Sequence, residues 1–302
     1  MILFGFVILC FVWGTTWLAI KFSLEGLPPL LGAGIRFTVA WLCLLLYVLL
    51  RRIPLRVHRR EFGILIISAF LMYPLDYGLI YWAEQYIAAG VAAIFFATFP
   101  LFTCIWTNFL FRNESFHWNT FIGLFIGFTG IVIVFYDQLA STHFNRLVLL
   151  ASSAVILSAA SGAMSLVIIK KYLTRMNPIT LTFHQLYIGV LFLFLIGFAM
   201  EDIHHIRLDN EVIASVTYLG IVGSAFAFVL FYRMLQKMKA TSLSLIIYIT
   251  PVVALIADYL AFKEIIPIRS FIGMAIIFFG ISVAQGGIKR LVKMRKMLTH
   301  RT

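Results

Sequence analysis

Ten apolar stretches follow one another along the chain with only short polar interruptions, at about 2–22, 30–50, 62–82, 89–111, 119–136, 146–170, 178–200, 210–234, 241–262 and 268–288. A helix crosses the ~30 Å hydrocarbon core of a bilayer with roughly 20 residues. Backbone groups that meet lipid must find partners within their own segment, so each stretch is expected to be an α-helix. Pro28-Pro29, Arg51-Arg52-Ile53-Pro54, Asn177-Pro178 and Lys263-Glu264 mark the breaks. The expected fold class is therefore all-α integral membrane with ten transmembrane helices, and no stretch is left for a soluble domain. The first apolar run has neither a basic n-region nor a small-residue cleavage site, and reads as a retained span.

Charge confirms the class and sets an orientation. Only 12% of the 302 residues are charged while 62% are hydrophobic, too few charges for a water-facing surface. In a soluble chain the net charge of +12 would suggest nucleic acid. Here the basic residues sit in short runs between apolar stretches, which is how topology is encoded, so no nucleic-acid partner is expected. With the N-terminus inside, the cytoplasmic side carries 18 Lys and Arg against 5 outside, with Arg36 left within a span. Both termini are expected in the cytoplasm, and the basic tail from Lys289 reads as a topology anchor. Short connections fit a multi-pass protein of a bacterial inner membrane.

Catalytic and metal-binding patterns are not evident. Cys10, Cys43 and Cys104 fall inside apolar runs without ligand spacing, so neither a disulfide framework nor a metal is expected, and no cofactor is called for. The chain has no HExxH, no Asp-rich prenyl-diphosphate motif and no phosphate-binding Gly loop. Ser165 or Ser224 with His184 would only imitate a catalytic dyad, and a channel would want rings of carbonyls or charges. The expectation is a protein that is not an enzyme.

The chain matches itself at an offset near 150. Gly14 meets Gly162, Pro29 meets Pro178, Tyr81 meets Tyr232, Ala89 meets Ala240, Pro100 meets Pro251, Glu114 meets Glu264, Gly123 meets Gly273 and Gly130 meets Gly280. The constant order indicates two five-helix repeats, residues 1–140 and 141–288, followed by the basic tail 289–302. Five is odd, so the second repeat runs through the membrane in the opposite sense. Inverted repeats are a common plan of secondary transporters, whose site lies near the midplane between the halves.

Trp13-Gly14, Arg36, the Ala-Gly-x-Ala-Ala run leading to Pro100, Glu114, and the echo at Pro251, Glu264, Gly273 and Gly280 resemble the EamA family of the drug/metabolite transporter superfamily, over essentially the whole chain. The resemblance implies a cavity among the first four helices of each repeat, with the fifth and tenth peripheral. It also implies traffic in amino acids or other small metabolites, often outward; the inverted repeat suits alternating access, and an aromatic lining would also suit organic cations. This chain has Ser161-Gly162 where the first half has Trp13-Gly14, and Gln185 where it has Arg36, so the two halves of the cavity should differ chemically.

Polar groups inside the spans supply the candidate site. Arg36 and Asp76 each stand about six residues from an outer helix end, ~9 Å deep at 1.5 Å per residue. Such charges need a partner or water. They are expected either to pair with each other or to hold the two ends of a zwitterion. Trp13 and Trp17 share helical spacing, as do Tyr73, Tyr77 and Tyr81, which places aromatic walls and hydroxyls on common faces. The expected substrate-binding set is Trp13, Trp17, Arg36, Tyr73, Asp76, Tyr77, Gln185 and Tyr248, with Tyr81 assigned to the interfacial belt. Asp76 or His184 could carry a coupling proton, and Pro100 and Pro251 could act as hinges. Asp258 reads as a water-facing carboxylate. Gly123 and Gly127 would serve internal packing or a homodimer contact, so the expected partners are a small molecule, the lipid bilayer and at most a second copy.

Overall fold

A computed structural model describes residues 2–111, 118–203, 206–253 and 267–286. The expectations for Glu114, Asp258, Glu264 and the tail 289–302 lie outside the described residues. The described residues are helices and connections without a strand. We number the helices α1 (Ile2–Leu24), α2 (Pro29–Arg51), α3 (Arg59–Ala83), α4 (Ala89–Leu110), α5 (Trp118–Val134), α6 (Arg146–Tyr172), α7 (Pro178–Met200), α8 (Asn210–Lys237), α9 (Ala240–Val253) and α10 (Ile268–Ala284). Seven of them, α1 to α4 and α6 to α8, are long and apolar enough to cross a membrane.

Local chemistry sets the ends. Pro29 and Pro178 occupy the first turns of α2 and α7, where a missing N–H leaves no bond unmade. The side chains of Asn145, Asn177 and Asp209 accept from backbone N–H groups in the first turns of α6, α7 and α8. Glu201, just after α7, accepts from the N–H groups of Leu30 (2.7 Å) and Leu31 (2.9 Å), so one half of the chain caps a helix of the other with a negative charge. Large apolar side chains such as Leu3, Phe4, Leu50, Leu195, Phe198 and Phe279 remain exposed and form the surface that meets lipid.

Two helices depart from the uninterrupted pattern. α3 contains a wide π-helical turn at Tyr73–Gly78 and α8 another at Ile221–Phe226, at matching places in the two repeats. Pro74 accounts for the first, since it cannot donate to the preceding turn. α4 breaks at Ala97–Thr98, just before Pro100. In α9 the break falls at Leu245, six residues ahead of Pro251. α5 and α10 lie backbone to backbone: a Cβ on Gly280 would meet Gly123 O at 2.6 Å, and one on Gly130 would meet Gly273 O at 2.8 Å. The glycines of this seam are therefore occupied within the chain.

Candidate functional site

The wide turn of α3 delivers Asp76 to α6. Ser158 donates to Asp76 Oδ1 (2.7 Å), and the other oxygen lies over Gly162, where a Cβ would collide with it. Ser161 and Ser165, on the same face of α6, donate to the carbonyls of Leu71 (2.6 Å) and Ser68 (2.8 Å). The spaced serines of α6 thus fasten it to α3 at three points. This leaves the carboxyl buried, held by one hydroxyl, at the rim of a cavity.

The cavity encloses about 820 Å³ including its open mouth and lies among α1, α3, α4, α6, α8 and α9. Its walls are apolar, part aliphatic and part aromatic, the rings being Trp13, Trp17, Tyr77, Phe96, Phe99, Phe231 and Tyr232. The indole of Trp13 donates to Gly223 O (3.2 Å) and tilts against Phe231 at 5.0 Å, which fixes that wall. Asp76 is the single carboxyl among the described lining residues. Three lining hydroxyls donate to their own helices, Thr16 to Trp13 O, Ser244 to Thr241 O and Thr250 to Ile247 O. A hydroxyl that has donated its proton offers a lone pair, so these groups present acceptors to whatever enters.

Of the eight residues expected to bind substrate, Trp13, Trp17, Asp76 and Tyr77 line this cavity and the other four do not. The ion pair expected between Arg36 and Asp76 does not form. Arg36 is 1% exposed, its Nε donates to Ser224 Oγ (3.0 Å), and its guanidinium lies 5.0 Å over the Phe37 ring and 5.1 Å over the Tyr77 ring. Tyr77 thus shows one side to Arg36 and shares the cavity wall with Asp76. Tyr73 is fully buried, because Gly189 of α7 leaves room for its ring where any side chain would clash. The wide turn also breaks the common face expected for Tyr73, Tyr77 and Tyr81: the second lines the cavity, and the third receives Arg36 Nη1 at 3.4 Å.

Gln185 sits behind the cavity, donating to Ser68 Oγ (2.9 Å) and accepting from the Tyr232 hydroxyl. Tyr248 packs its ring on Gly127 and donates to Leu124 O (2.7 Å), so it belongs to the α5 contact. His184 bonds Leu55 O (3.0 Å) in the connection after α2, away from the cavity. Pro251 faces a different cavity, beside the first. Sequence reasoning missed Thr16, Phe96, Phe99, Phe231, Ser244 and Thr250 as lining. It also met Tyr232 only as the repeat partner of Tyr81, although that offset was the signal that could have marked it.

The EamA-like transporter family model matches residues 1–136 and again residues 149–284. The chain belongs to the EamA-like transporter family. It is 28% identical over 274 residues to an uncharacterized transporter of Archaeoglobus fulgidus, covering 90% of this chain and 94% of that one. It is 24% identical over 280 residues to the uncharacterized transporter YoaV of Bacillus subtilis, covering 93% and 95%. With the protein PagO of Salmonella typhimurium it shares 26% identity over 259 residues, covering 84% and 83%. A crystal structure 18% identical in sequence superimposes with a TM-score of 0.78 over 95% of this chain and 97% of that one, a likeness of fold. The EamA-like chain is a multi-pass membrane transporter.

Proposed function

We propose that the chain is a secondary transporter that moves small amine-bearing metabolites, amino acids among them, outward across a bacterial inner membrane by alternating access of its two halves, with both termini in the cytoplasm. The observation that carries the reading is Asp76, the one carboxyl among the described residues of an otherwise largely apolar wall rich in aromatic rings. A protonated amine is attracted by a carboxylate and by ring faces, and such cation–π contacts strengthen when water is excluded. The bias of the lining hydroxyls toward acceptance suits the same donor-bearing group. A proton and an amine compete for one carboxyl, so exchange of the two at Asp76 supplies a simple coupling scheme; His184 bonds Leu55 O and is not among the residues that line the cavity.

A second reading, an exporter of amphipathic organic cations without a carboxylate, is favoured by one observation. Arg36, the cation that would hold a substrate carboxylate, is enclosed by Ser224, Phe37 and Tyr77 instead. Counterflow in proteoliposomes separates the two. Labelled phenylalanine and phenethylamine differ only by the carboxylate: exchange of both supports the first reading, exchange of the amine alone the second. Asp76→Asn should abolish exchange while the protein stays folded, because the amide keeps the shape but not the charge. Undiminished exchange by Asp76→Asn would overturn the role given to Asp76.

A further inference from the structure

A second cavity of about 700 Å³, including its open mouth, lies beside the first, among α1, α4, α9 and the one-turn helix Tyr136–Ala140. Thr15, Trp17, Gly90, Ala93, Gln138 and Pro251 are among the residues that line it. Among the described residues, Trp17 is the one that lines both cavities. Its indole stands edge-on to Phe96 with ring centroids 5.6 Å apart.

The Trp17 side chain stands on the division between the cavities, beside α1 itself, which turns Trp13, Thr16 and Ile20 to the first and Gly14, Thr15 and Leu18 to the second. At Gly14, one turn before Trp17, α1 already touches α9, since a Cβ there would lie 3.0 Å from Thr250 O and from Val253 Cβ. The backbones have no room to close further, whereas an aromatic side chain can change rotamer within nanoseconds to microseconds when its surroundings loosen. We propose that the second cavity is a further solute subsite on the transport route, taking the apolar body of the same small amphipathic solutes, with the Trp17 indole as the partition between the two.

This rests on the reading of the chain as a carrier of such solutes. A lipid acyl tail is the rival occupant, and the lining argues against it. The Gln138 amide reaches in until its oxygen occupies the space a side chain on Gly90 would need, and Thr15 and Tyr218 share a hydroxyl–hydroxyl bond of 2.6 Å at the same wall. An acyl chain would leave the amide without partners, whereas water or a polar solute satisfies it.

The test uses Ala93→Cys in the full chain with Cys43→Ala, the remaining cysteines being buried. A charged, membrane-impermeant methanethiosulfonate is applied to vesicles of either orientation; it reacts with a thiolate in water and not with a thiol under lipid. The expected result is modification from one face only, slowed by phenethylamine. Adding Trp17→Ala should open the thiol to the second face, and Trp17→Phe should restore the one-sided pattern. Modification from neither face would make the cavity a lipid pocket, and modification from both faces with Trp17 present would remove the partition; either result overturns the proposal. Because labelling needs no transported solute, its outcome is independent of whether counterflow succeeds.

Discussion

Glu84 follows the last turn of α3 and is only 7% exposed, yet neither of its oxygens has a hydrogen-bond partner. Burial pushes its carboxyl up from 4.5 to about 8, against the opposing pull of Lys21 and Arg36. The folded protein therefore holds this proton more tightly than the unfolded chain does. That stabilisation is complete at pH values below the ordinary one and is lost as pH rises toward 8. In detergent, the unfolding midpoint of the native protein should fall between about pH 4.5 and about pH 8 more steeply than that of Glu84→Gln, whose side chain does not titrate. Parallel slopes for the two would remove Glu84 from the pH response. Residue types were legible where chemistry alone singles them out: Asp76, Arg36 and the tryptophans stand out in any apolar span. Their fates were not legible. Arg36 is satisfied by Ser224, 188 positions away, and by two ring faces whose orientation no local pattern encodes.

Helices were predictable from the run of apolar residues, and their starts from Pro29, Asn177 and Pro178, because the lengths needed to cross lipid and the chemistry of helix ends are local. What apolar runs do not report is phase. A π turn changes the angular step between successive residues, so the spacing that would align Tyr73, Tyr77 and Tyr81 on one face no longer does. Pro74 was the available sign in α3; in α8 the matching turn contains no proline and had none so plain. The fit of α3 to α6 makes Gly162 the sensitive position of that pair. Gly162→Ala should displace the Asp76 carboxyl, destabilise the protein by about 1–3 kcal/mol and depress counterflow. Gly63→Ala on α3, where a Cβ would meet nothing within 4 Å, should leave thermal stability and counterflow near those of the native protein. Equal behaviour of the two alanine variants would mean that α6 can yield at Gly162.

At the scale of the molecule the repeat appears in the bonding as well as in the sequence. Arg36 reaches Tyr81, and their counterparts Gln185 and Tyr232 bond each other, so each half ties its second helix to its third with the same pair of positions. One tie is charged and the other neutral, which is the chemical difference between the halves that the Arg36–Gln185 mismatch implied. The self-match across 150 positions made the two-part plan legible; the cavity's walls were not, because α4, α8 and α9 contribute residues that look like ordinary lipid-facing phenylalanine and serine until the helices are placed.

The seam between α5 and α10 joins the last helix of one half to the last helix of the other, and Glu201 of the second half caps α2 of the first. These contacts do not depend on the exposed connection around His143 and Phe144. Covalent continuity should then be dispensable. Residues 1–143 and 144–302, made as two separate polypeptides in one cell, should find each other in the bilayer, copurify through a tag on either piece and recover counterflow. Introducing Gly280→Leu should abolish that reunion far more severely than it harms the unbroken chain, since tethering keeps the two pieces at high effective concentration. A protein whose pieces reassemble in this way could have arisen from two cooperating copies of one half-sized ancestor, with the linker added to a partnership that already worked.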